Sequence, residues 1–119
     1  MSEVTDKLVR KPISLGRIQF GNLGEVETQI AESALQTFAR VYGLGIHQKT
    51  IPALVAYFRE IAAGLTQPAN RVKRGGGKIG YEFELAQVQD SGDYLLSAEL
   101  NSRAGTAVVT HFNRIPNFD

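Results

Sequence analysis

Residues 78–86 read Lys78-Ile79-Gly80-Tyr81-Glu82-Phe83-Glu84-Leu85-Ala86. Ile79, Tyr81, Phe83 and Leu85 alternate with Gly80, Glu82, Glu84 and Ala86, and a period of two sends the first set to one face of a strand and the second to the other. The stretch predicts a half-buried β-strand. Beyond it, Gln89-Asp90-Ser91-Gly92-Asp93 and Asn101 to Gly105 are turn-like. Tyr94 to Leu100 and Thr106 to Phe112 then become the second and third strands of an antiparallel β-meander.

Upstream of residue 68 the period changes to about 3.6. Ile51, Leu54, Val55, Phe58, Ile61 and Ala62 form a broad apolar stripe, with Pro52 in the first turn, where amide hydrogens lack partners in any case. Gly64 is placed as the left-handed residue that ends this helix. Before it, Val26, Ile30, Ala34, Phe38 and Val41 recur at threes and fours, which predicts a helix from Glu25 to Tyr42. Asn22 is its N-cap, Glu25 its capping-box partner, and Gly43-Leu44-Gly45 its stop. Residues 1–6 read as a flexible start, and Leu8 to Arg10 and Ile13 to Phe20 as short extended segments broken at Pro12. The expectation is an α+β domain: a two-helix layer packed on an antiparallel three- to four-stranded β-meander, with the N-terminal segment as the optional fourth strand.

A chain of 119 residues, 43% hydrophobic and 21% charged, has the size and composition of one soluble globular domain covering residues 1–119. A formal charge of +1 rules out a global field that would drag the whole molecule onto nucleic acid or an anionic membrane, so any such contact is local. With no cysteine, disulfides, thiolate nucleophiles and Cys-based zinc sites are excluded, and a cytoplasmic location is the expectation. No apolar run approaches membrane-spanning length and no signal peptide is read, so no membrane partner is expected.

The most distinctive stretch is Arg71-Val72-Lys73-Arg74-Gly75-Gly76-Gly77-Lys78. It lies in what reads as a basic, glycine-rich connection over residues 66–77 between helices and sheet. Arg71, Lys73, Arg74 and Lys78 are candidates for holding nucleic acid or phosphate, because phosphates need cations and glycines admit a close backbone. A flexible connection kept solvated by charge predicts the same residues. A nucleotide P-loop fails on spacing, since Val72 stands where its first glycine belongs and Ile79 where Ser or Thr should follow the lysine. Gly80-Tyr81-Glu82-Phe83 resembles part of the aromatic RNA-binding strand of an RRM, but Glu82 and Glu84 bring negative charge and the element order differs, so Tyr81 and Phe83 are read as core. A winged helix-turn-helix reading of residues 50–63 founders on a helix whose exposed positions are mainly Tyr57, Arg59 and Glu60.

His47 and His111 have no companion ligands, so no metal site and no cofactor are assigned. Glu82, Glu84 and Glu99 could meet on adjacent strands as acid–base carboxylates, but a solvated sheet face gives the same pattern, and no catalytic residues are assigned. The C-terminal run is apolar at Phe112, Ile115 and Phe118, which become candidate partner-binding residues unless the run folds back on its own domain. Three function classes follow. The first is a small non-enzymatic binding or assembly protein acting through protein–protein contact, expected to be homo-oligomeric, with another protein as the alternative partner. The second is nucleic-acid binding through residues 71–78. The third is a small-ligand protein or enzyme with a pocket between helices and sheet, with His47, Tyr57, Glu99 and His111 as first candidates.

Overall fold

The computed structural model describes residues 12–65 and 67–116. Its elements in chain order are β1 (Ile13–Gln19), β2 (Glu25–Ile30), α1 (Glu32–Val41), α2 (Ile51–Ala63), β3 (Asn70–Gly75), β4 (Lys78–Leu85), β5 (Tyr94–Asn101) and β6 (Thr106–Arg114). All six strands join one sheet in the order β1-β2-β6-β5-β4-β3. Neighbours are antiparallel except β2 and β6, which run parallel from Glu27 opposite Thr106 to Ile30 opposite Val109.

The α+β class stands, but the sheet is six-stranded and mixed, not an antiparallel meander of three or four strands. Two misread stretches account for the difference. Glu25–Ile30 is a strand, and the first helix begins only at Glu32. Val26 and Ile30 lie four apart, a spacing that suits a helical face and a strand face alike. Thr28 between them decides the matter: it is fully buried, with its hydroxyl donating to the Val26 carbonyl at 3.1 Å. Val26, Thr28 and Ile30 thus share the inner face while Glu25, Glu27 and Gln29 face out, a run of β-branched residues that fits a pleat better than a helix. The second misreading is the supposed connection over residues 66–77, within which Asn70–Gly75 pairs with β4 as an edge strand. All six of its residues are exposed, so it leaves no hydrophobic alternation to read. Gly75, Gly76 and Gly77, all at positive φ, turn the chain between β3 and β4.

The β4–β5–β6 meander and α2 form as the alternation and the stripe predict. Gly64 closes α2 in a right-handed conformation, φ −89°, and not in the expected left-handed one. The two helices cover one face of the sheet. Between the layers Phe38 packs edge-on against Phe58 and Phe112, with ring centroids 5.7 and 5.3 Å apart, and Phe20 meets Phe58 at 6.1 Å. Each ring is fully buried and contributes about 1.5–3 kcal/mol of apolar burial. Among the described residues nothing covers the opposite face of the sheet, and β3 extends past the helices.

Candidate functional site: the cationic end of the sheet

Antiparallel registry separates the basic run onto two faces. Arg71 and Lys73 stand opposite Tyr81 and Ile79, on the helix-side face, while Val72 stands opposite Gly80 on the open face. A register shift lies between Lys73 and Gly75. Arg74 there turns its guanidinium over Gly80, where an added Cβ would come within 3.1 Å of Nε. Its Nε is 4.0 Å from Oε2 of Glu99, with both side chains well exposed. An ion pair of that length in water contributes well under about 1 kcal/mol, so most of the local positive charge is left uncompensated. Lys78 opens β4 opposite Asn101.

A fifth cation joins these four, one that the sequence places 25 residues after Lys78. The β5–β6 turn docks onto the β3–β4 turn: the Ser102 amide and hydroxyl both donate to the Gly77 carbonyl, at 3.0 and 3.2 Å. Asn101 shapes that turn by accepting from the Arg103 and Ala104 amides at 3.1 and 3.2 Å. Arg103 consequently lies along Gly77, so close that a Cβ on the glycine would meet its Cγ at 2.7 Å. Asn101 to Gly105 reads as a turn, but only the topology shows which other turn it touches. Arg71, Lys73, Arg74, Lys78 and Arg103 thus share one end of the sheet, mostly within a Debye length of their neighbours, and their fields add.

On the open face beside them is a depression of about 350 Å³, floored near Gly80 and Ala98 and walled by Asn70, Arg74, Glu82, Glu99 and His111. Asn70 donates to Glu82 at 3.2 Å, and His111 Nδ1 lies 3.1 Å from the Thr110 hydroxyl. Glu82 and Glu99 therefore line one depression from diagonal positions, whereas Glu84, exposed on the same strand, is not part of the wall. Of the four residues considered for a pocket between the layers, Glu99 and His111 come together here, on the face away from the helices. Tyr57 instead stacks on Tyr42 at 4.4 Å in the helical layer, and His47 lies in the α1–α2 loop. The interlayer itself is filled by the phenylalanine cluster.

The apolar tail divides. Phe112 belongs to β6 and is buried, stacked on Tyr94 at 4.8 Å, so it supports the core and is not available to a partner. β6 continues to Arg114, two residues past the strand end read from the sequence, so Phe112 lies within the strand and not at its end. Ile115 is half-buried and its amide donates to the Asp93 carbonyl at 2.8 Å. Phe118 lies outside the described residues.

A second, shallower cavity of about 380 Å³ opens between Tyr42, Glu60 and the Gln87–Gln89 segment. Gln87, Gln89 and Asp90 have φ of 53°, 51° and 57°, a conformation that costs a non-glycine residue about 1–2 kcal/mol each. Burial, and then the Glu60 carboxylate, raise the Tyr42 phenol above its ordinary pKa, against a lowering hydrogen bond with Gln89. Among the described residues no three His, Asp or Glu side chains gather as a metal site, and no helix is long and apolar enough to cross a membrane. Comparison with protein-family models, with curated proteins and with solved structures finds no match to this chain.

Proposed function

We propose that this is a small non-enzymatic binding protein that acts through protein–protein contact, with the cationic end of the sheet as its contact surface. The observation that carries this reading is β3: an edge strand with all six residues exposed, three of them Arg71, Lys73 and Arg74. An exposed edge strand is an aggregation hazard that charge holds in check, and the same charge selects an oppositely charged partner. Self-assembly through β3 is disfavoured. In the antiparallel register centred on Val72, Arg71 of one copy stands opposite Lys73 of the other on the same face, and like charges directly opposite are destabilising. The partner in this reading is a different chain, and a cysteine-free sequence suits a meeting in a reducing compartment such as the cytoplasm.

Nucleic-acid binding is the second reading, and Arg103 favours it by adding a fifth cation to Arg71, Lys73, Arg74 and Lys78 around the glycine turn. Molar mass by light scattering, at low and physiological salt, with polyglutamate or with a mixed pool of short DNA and RNA, separates the two. The expected result is a single protomer alone that gains mass with polyglutamate at both salts. Mass gained with nucleic acid only at low salt transfers the function to phosphate binding, as counterion release requires. A salt-independent dimer without any addition would restore self-assembly, through a surface other than β3.

A further inference from the structure

β3 is bonded on one side to β4, and none of the described residues pairs with its other side. Such a strand offers amide hydrogens and carbonyls at every second residue, ready for a further extended chain. The outward groups in β3 are those of Arg71 and Lys73. The Arg71 amide donates to the side-chain oxygen of Asn70 at 2.9 Å, and the alternation of the ladder turns Lys73 the same way. The flanking side chains set what the extra strand must carry. Arg71 and Lys73 project on the helix-side face, and Val72, 42% exposed, projects between them on the open face. Side chains of an added strand lie about 5 Å from these on the matching faces.

We infer that β3 takes up an acidic extended segment of its partner as a seventh strand, one with carboxylates at alternate positions and an apolar residue between them; this rests on the protein-contact reading above. The two carboxylates pair with Arg71 and Lys73. The intervening apolar side chain covers Val72, beside the Arg74 guanidinium that lies over Gly80. Arg74, already turned back over Gly80 toward Glu99, does not obstruct the edge. The Asn70 carboxamide caps the Arg71 amide and is displaced when the strand adds.

The test uses three fluorescein-labelled nonapeptides of alternating Glu and Val, of the same composition in two blocks, and of the alternating sequence N-methylated at every second amide, together with a short DNA duplex. Binding is followed by anisotropy at about 0.15 M salt, where surface charge alone is screened beyond about 8 Å. The alternating peptide is expected to bind, and Arg71→Ala or Lys73→Ala to weaken it about fivefold. N-methylation should weaken it about thirtyfold by removing two main-chain hydrogen bonds while leaving the charge intact. The Lys73 amide should gain hydrogen-exchange protection in the complex. Both substitutions are at exposed positions, and unchanged circular dichroism confirms the fold. Equal affinity for the methylated or the block peptide would overturn strand addition and leave the contact reading standing. Binding of the duplex with none of any peptide would overturn both.

Discussion

The two hairpins that end the sheet make opposite use of the same geometry. β1 and β2 bury Leu15, Ile18, Phe20, Thr28 and Ile30 beneath the helices, and set Arg17 against Glu25 at 3.0 Å on the open side. β3 buries nothing, and three of its residues are cations. One hairpin is held by packing and the other chiefly by its ladder to β4. Ladder hydrogen bonds contribute only about 1 kcal/mol each in net terms; Asn70 and Arg74 turn to Glu82 and Glu99, which leaves Arg71, Val72 and Lys73 for contact with a partner.

The sharpest way to break this contrast is to truncate one side chain in each hairpin. Phe20→Ala should lower stability by about 3–5 kcal/mol, because it empties a fully packed site against Phe58, whereas Val72→Ala should stay within about 0.5 kcal/mol. Urea denaturation measures both, and a comparable loss at Val72 would mean that β3 packs against something. The turns should divide in the same sense. Gly21, at φ +49°, sits so tightly against the Leu65 backbone that a Cβ would overlap the Leu65 carbonyl oxygen. Gly21→Ala therefore combines backbone strain with a clash that no side chain can relieve, and should cost about 3 kcal/mol or more. Gly76, at φ +62°, has nothing near its missing Cβ, so Gly76→Ala should cost about 1 kcal/mol, from strain alone.

The same contrast explains what could be read from sequence. The β4–β5–β6 meander was legible because each strand has a wet and a dry face, and α2 because its stripe fits no other period. β2 was not, since Val26 and Ile30 satisfy both spacings and Thr28, a polar residue, carries the inner face between them. β3 was not, since a strand wet on both faces has no pattern, and its Arg, Lys and Gly content mimics a loop. At the candidate site the four cations of residues 71–78 were visible individually. Their division between two faces depends on registry, and the approach of Arg103 depends on one turn docking on another. Phe112 lies on the buried face opposite Leu96 because the register shift between Ser97 and Ala98 leaves Thr110 as an extra residue in β6, whereas strict alternation from Ala107 and Val109 would turn it outward.

The smallest effect is also the most discriminating, because it concerns sign. Arg17 and Glu25 form a balanced pair at 3.0 Å, and Arg17→Ala should lower stability by no more than about 0.5 kcal/mol. Arg74 has a looser partner in Glu99, at 4.0 Å, and stands among Arg71, Lys73, Lys78 and Arg103. Removing it relieves more like-charge repulsion than it forfeits in attraction, so Arg74→Ala should leave stability unchanged or raise it by a few tenths of a kcal/mol at low salt. Both differences should shrink toward zero as salt shortens the Debye length to about 3 Å at 1 M. Chemical denaturation with urea, which adds no charge, resolves the two at each ionic strength. If Arg74→Ala destabilises as Arg17→Ala does, the charges at this end are already compensated within the fold, and a surface so balanced has no excess attraction to offer an acidic partner.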